Sequence, residues 1–165
     1  MDITILELKK KLKEIEDEKS KLFNKLHSAD VIKYSIKDDR EHSLRLKPEF
    51  SKIDILQAIE DINKQERILR HALNDANRTT VTSLGISIAD ALVHLAQNQR
   101  FAYEISKSMP GTRNKLEVDY QGHYTEYLYD FDTVECILDG LKSEITTLQL
   151  AIDVANASTV VHIED

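Results

Sequence analysis

The chain has 165 residues, a net charge of −7 and 31% charged side chains, with four Gly, two Pro and no Trp. That length is enough for one domain with a buried core, and so few helix breakers favour long helices over a turn-rich β fold. From Lys115 onward eleven carboxylates face only Lys115 and Lys142, which argues against unassisted nucleic-acid binding.

The first helix is expected over 3–27. Ile5, Leu8, Leu12, Ile15, Lys19, Leu22 and Leu26 recur at 3–4 spacing, with Lys19 as the one charged position in the seam. A loop over 28–50 follows. Within it 31–36 reads as a short strand, with 43–46 as its candidate partner. The second helix is expected over 51–76, where Ile55, Ile59, Ile62, Glu66, Leu69, Leu73 and Ala76 repeat the spacing and Glu66 is the break. In an antiparallel hairpin, paired positions sum to a constant. Leu26 then faces Ile55, and Ile5 faces Ala76. That register puts Lys19 and Glu66 in neighbouring layers as a structural pair, since a charge of each sign is costly alone and tolerable together.

Ser87 and Asp90 stand at capping-box spacing and open a third helix over 87–107, with Ile88, Ala91, Leu92, Leu95, Ala102 and Ile105 as its stripe. Pro110 and Gly111 end it. Over 113–131 Leu116, Val118 and Tyr120 alternate, Gln121-Gly122 turns, and Tyr124, Tyr127 and Tyr129 follow, which reads as a β-hairpin. The fourth helix is expected over 132–156, opened by Asp132 and Glu135. Its seam is Val134, Leu138, Leu141, Ile145, Leu148, Ile152 and Ala155. The fold class is therefore mainly α: an up-and-down four-helix bundle or antiparallel coiled-coil hairpins in a single domain, 1–165. A small β-hairpin is inserted between helices 3 and 4. Such seams are often completed by a second copy, so a homo-oligomer is expected.

One short segment occurs twice. ILRHALNDANRTTV covers 68–81 and TLQLAIDVANASTV covers 147–160. The flanking helices share only the bundle pattern, so a duplicated domain is not required. In an up-and-down bundle both copies come to one pole, beside the N-termini of the first and third helices and near Lys9, Lys10 and Lys11. Asn77, Arg78, Thr79, Thr80, Asn156, Ser158 and Thr159 are the candidate residues there for a small anionic ligand, a nucleotide-type signal included. The competing account is that they cap helix ends and tie the turns together. The other pole collects Tyr34, Arg40, His42 and Arg45 with Arg113, Tyr120, His123, Tyr124, Tyr127 and Tyr129. The last six are candidates for an oligomer interface or a second pocket, against ordinary hairpin packing.

Catalytic and metal signals stay at background. Asp90 with His94, and Asp39 with His42, lack a further ligand at metal spacing. The 85–89 segment is one Gly short of a nucleophile elbow. No catalytic residue, metal or cofactor is expected, and the enzyme reading ranks low. One cysteine, Cys136, fits a reducing compartment. With no signal peptide or membrane-spanning run in view, a cytoplasmic protein without membrane or nucleic-acid partners is expected.

The run from Leu73-Asn74-Asp75-Ala76 through Asn77-Arg78-Thr79-Thr80, then Gly85-Ile86-Ser87-Ile88-Ala89-Asp90-Ala91-Leu92, resembles the septicolysin-like family of small bacterial helical proteins. Leu148, Ile152, Asn156, Thr159 and Val160 extend the resemblance. Asp153 and Ala157 depart from it, standing where the family has Gln and Trp, and the family's acidic loop after the first helix is absent. The resemblance implies a small helical protein and, through the family's haemolysin label, membrane attack. This chain has no amphipathic β-hairpin pair or apolar helix suited to insertion, so a toxin ranks last. A non-enzymatic, homo-oligomeric binding protein ranks first. A protein-interaction module acting through its helical seams or Tyr-rich hairpin ranks second.

Overall fold

Thr4 starts the first helix because it and Glu7 cap each other. Thr4 Oγ1 accepts from the Glu7 N–H at 3.2 Å, and Glu7 Oε2 accepts from the Thr4 N–H at 2.8 Å. This capping box satisfies N–H groups that the helix itself cannot. The computed structural model describes residues 1–27, 29, 34–36, 43–45, 51–110 and 116–163. In chain order the elements are β1 Asp2–Thr4, α1 Ile5–Leu26, β2 Tyr34–Ile36, β3 Ser43–Arg45, α2 Lys52–Thr79, α3 Ile88–Ser108, β4 Leu116–Val118, β5 Tyr124–Glu126, α4 Phe131–Ser158 and β6 Val160–His162. The fold is mainly helical, with small antiparallel strand pairs β1–β6, β2–β3 and β4–β5. The first loop does hold a pair, with Tyr34 opposite Arg45 and Ile36 opposite Ser43. Residues 31–33 and 46, with Asp39, Arg40, His42 and Arg113, lie outside the described residues.

The chain divides into two compact units, Met1–Ala76 with Thr159–Asp165, and Asn77–Ser158. In the first, α1 and α2 run antiparallel. Leu8, Leu12, Leu69 and Ile163 form one buried cluster. Ala29, Ile55 and Ile59 form another, covered by Leu22 and Leu26. Leu26 and Ile55 thus share a layer, as the summed positions require. Lys19 Nζ donates to Glu66 Oε2 at 2.9 Å, with the side chains 26% and 14% exposed. The other Glu66 oxygen accepts from Arg70 Nε at 2.7 Å, and Arg70 Nη2 reaches Glu16 Oε1 at 2.6 Å. A carboxylate inside an apolar seam is tolerated here because both its oxygens are paired.

The ends of this unit meet in a ribbon. Asp2 lies opposite His162, Ile3 opposite Val161 and Thr4 opposite Val160. The Met1 nitrogen donates to Ile163 O at 2.6 Å, and the Ile163 N–H to Met1 O at 2.9 Å. The ribbon carries Ile163 into the α1–α2 core, where it is 5% exposed. Three-residue strands are too short to show a period, so the sequence reading had none at either end.

In the second unit α3 packs along α4. Ile88, Ala91 and Ala102 are buried, as are Leu138, Leu148, Ala151, Ile152 and Ala155. Ser87 caps α3, accepting from the Asp90 N–H at 3.0 Å. The start of α4 differs from expectation. Asp130, not Asp132, is the cap, since its Oδ2 accepts from the Thr133 N–H at 3.2 Å and from Thr133 Oγ1 at 2.6 Å. Phe131 is buried and takes the first helical position, which shifts the cap back two residues.

The Lys19–Glu66 pair sets two expectations. Glu66→Ala should lower stability by about 1–3 kcal/mol, between exposed and buried pairs, while Lys19→Met with Glu66→Leu should fall within about 1 kcal/mol of the parent. Hydrogen bonds from Lys19 first, then Arg70, hold the Glu66 carboxyl below its ordinary range. Its contribution is therefore complete above the unfolded value of about 4.3 and is lost as pH falls through the lower folded value. Urea unfolding at pH 7 and pH 3 checks both, with Glu66→Gln showing the weaker acid dependence.

Candidate functional site

The repeated segment is built differently from the polar turns expected of it. Asn77, Arg78 and Thr79 are the last residues of α2, and Asn156 and Ser158 lie in the last turn of α4. In α4 the hydroxyl bonds back along its own turn, Ser158 Oγ donating to Val154 O at 2.8 Å. Asn156 is buried at 5% exposure. Asn77 Oδ1 is buried without a hydrogen-bond donor among the described residues. Arg78 is exposed.

Thr80 and Thr159 are the first residues beyond each helix, and each meets the start of another. The Ile88 N–H donates to Thr80 O at 3.0 Å, and the Ile5 N–H donates to Thr159 O at 3.1 Å. Val81 bridges to Ser87, and Val160 pairs with Thr4. Thr80 belongs to the second unit and Thr159 to the first. Thr80 thus stands at the start of α3 and Thr159 at the start of α1. The Ile5 and Glu7 N–H groups at α1, and the Ile88 and Asp90 N–H groups at α3, are bonded, and a carboxylate stands in each first turn: Glu7 at α1, and Asp90, which accepts from Ser87 Oγ at 2.7 Å. The Thr4 backbone N–H and hydroxyl hold the Glu7 carboxyl below its ordinary range. Asp90 thus belongs to the capping arrangement of Ser87 at the start of α3.

The loop between α2 and α3 turns on Thr82, a residue the sequence reading passed over. Thr82 is 5% exposed. Its N–H and Oγ1 donate to Ile86 O at 2.8 and 3.0 Å, and its carbonyl accepts from the Gly85 N–H at 3.0 Å. Gly85 has φ 78°, a left-handed conformation that favours glycine. This tight turn is the role of the Gly85 segment.

The aromatic candidates split into two groups. Tyr120 and Tyr124 project at the hairpin tip, 94% and 72% exposed. Asp119 ties the tip by accepting from the N–H groups of Gln121 and His123 at 2.8 and 2.9 Å and pairing with His123 Nδ1 at 3.0 Å. The backbone N–H of His123, then its ring, pulls the Asp119 carboxyl down. Gly122, φ 85°, makes the turn. Tyr127 and Tyr129 instead pack with Phe131. The Tyr129–Phe131 centroids lie 5.0 Å apart, edge to face, and Tyr127 Oη donates to Glu117 Oε2 at 3.1 Å. Burial, then Glu117, raises the Tyr127 phenol. Tyr129 Oη is buried without a partner among the described residues.

An open groove of about 610 Å³ lies on the first unit. Met1, Ile15, Ile68, Leu69 and Ile163 make its apolar floor, with Lys11, Glu14, Glu18 and Gln65 around it. Seam periodicity could not reveal it, because the terminal ribbon is what brings Met1 and Ile163 to the helices. Among the described residues no three His, Cys, Asp or Glu gather as a metal site, and no helix is long and apolar enough to cross a membrane.

No family model matches the chain, and no curated protein matches it. The septicolysin-like resemblance gains no support from these comparisons. The fold is similar to the crystal structure of a functionally unknown conserved protein from Corynebacterium diphtheriae, with a TM-score of 0.71 and 18% identity over 98% of this chain and 100% of that one. That likeness concerns the fold alone.

The two capped helix starts should respond alike. Thr4→Ala and Ser87→Ala should each cost about 1 kcal/mol and add in the double variant. Urea unfolding of the three variants checks this.

Proposed function

We propose that the chain is a non-enzymatic helical binding protein that associates with a second copy of itself through the outer face of α4. The observation that carries this reading is a run of exposed, uncharged positions at 3–4 spacing: Cys136, Gly140, Ser143, Thr147, Leu150, Val154 and Ala157. Leu150 and Val154 are 65% and 54% exposed. A surface helix ordinarily carries charge opposite its core stripe, as α2 does with Asp61, Lys64, Asp75 and Arg78. In an antiparallel pair of such faces, Gly140 comes opposite Val154 and Ser143 opposite Leu150, so small residues receive large ones. Exposed Asp139 and Asp153 flank the stripe, and salt that screens them strengthens the contact.

Sedimentation over a concentration series tests this. Wild type should show a reversible monomer–dimer equilibrium that tightens with salt, and Leu150→Asp with Val154→Asp should weaken it at least about tenfold by desolvating charge. A wild-type chain that stays monomeric at about 1 mM, beyond the range of weak specific interfaces, removes the reading.

A small anionic ligand beside α2 is a second reading. It rests on the exposure of Arg78 in the last turn of that helix, next to Thr80. Arg78→Ala should leave the melting temperature of the free protein unchanged and abolish any thermal shift produced by phosphate or a nucleotide. A shift that survives Arg78→Ala places the ligand elsewhere.

A further inference from the structure

The two halves of the chain repeat one design. Each begins with a hydroxyl N-cap followed by isoleucine, Thr4-Ile5 and Ser87-Ile88, and both isoleucines are 0% exposed. An acidic residue stands three positions after each cap, Glu7 and Asp90. The first helices have 22 and 21 residues, and the second helices both have 28. Between first and second helix each half carries an antiparallel pair of three-residue strands, β2–β3 and β4–β5.

The second helices match position by position. Ile59 and Leu138, Leu69 and Leu148, and Ala76 and Ala155 occupy the same places in the two helices, and all six are buried. Each helix then closes with Asn, a hydroxyl residue, Thr and Val. The matching bonds follow: Thr80 O with the Ile88 N–H and Val81 with Ser87, Thr159 O with the Ile5 N–H and Val160 with Thr4. Outer faces are not shared. Asp61, Lys64, Asp75 and Arg78 of α2 correspond to Gly140, Ser143, Val154 and Ala157 of α4. Core and junction are alike while surface charge differs, which is the pattern left when packing is retained and solvent positions drift.

We propose that the chain is a tandem duplication of one helix–β-hairpin–helix module, and that one hydrogen-bond pattern is made twice, once within each compact unit. One side is a helix start, Thr/Ser-Ile-x-Glu/Asp. The other is the Thr-Val pair that follows a helix. In the second unit the pattern is closed through the 82–86 loop, and in the first by the β1–β6 ribbon. The inference does not depend on self-association through α4.

A circular permutant of the full chain tests it. Residues 165 and 1 are joined by Gly-Ser linkers of two lengths, and the new ends are placed between Ser83 and Leu84. The permutant should keep the parent's far-ultraviolet helical signal and unfold in one cooperative step, with a melting temperature within about 4 °C of the parent, the size of a single small perturbation in a chain of this length. A permutant unfolded with both linkers overturns the proposal. The unmodified chain supplies an independent readout. The amide protons of Ile5 and Ile88 make the same bond, so their hydrogen-exchange protection should agree within about tenfold. A gap of a hundredfold or more would show that the covalent loop, not the shared bond pattern, holds the start of α3, and the proposal falls.

Discussion

A helix start leaves N–H groups that its own turns cannot bond, and both compact units of this chain are organised around how two such starts are satisfied. At Ile5 and Ile88 the backbone N–H is taken by the carbonyl of a threonine that has just left another helix. A hydroxyl cap and a first-turn carboxylate complete each start. The cost of burying these isoleucines without a partner for the N–H would be that of an unsatisfied polar group. The threonine carbonyl removes it, and the adjacent valine adds a β-type bridge.

The second constraint is register along α1 and α2. Apolar seams slide easily, since one leucine layer resembles the next. Lys19 and Glu66 do not slide, because displacement by a turn leaves a carboxylate half-buried and unpaired. Arg70 and Glu16 extend the pair toward solvent, so the charge inside the seam is connected to charge outside it. The outer faces of the helices have no such rule. α2 is charged there, while α4 carries an uncharged stripe beside Asp139 and Asp153.

Much of the fold was legible in the sequence because its signals are local and periodic. The 3–4 seams named the helices, Ser87 with Asp90 marked the start of α3, and Gln121-Gly122 marked the hairpin turn. The expected pairing of Lys19 with Glu66 needed only the arithmetic of an antiparallel hairpin. The candidate site was less legible. Asn77 and Asn156 resemble cap residues by type, yet both lie inside helices, since side-chain type alone does not say at which residue a helix ends. The aromatic set could not be divided in advance, because Tyr120 and Tyr127 differ in what covers them and not in sequence pattern.

The sequence by itself determined where helices form, which of their faces are apolar and which two seam charges must meet. These depend on residue period and on pairing arithmetic within one hairpin. Only the tertiary structure decided what the repeated Asn-hydroxyl segment is for. Its meaning lies in hydrogen bonds that the Ile88 N–H donates to the Thr80 carbonyl and the Ile5 N–H donates to the Thr159 carbonyl. The second joins positions at opposite ends of the chain, and no local period encodes a contact of that separation. The groove floored by Met1 and Ile163 depends on the same closure. Backbone pairing between three-residue strands carries almost no sequence signature, so it emerges only when the folded chain brings the two strands together.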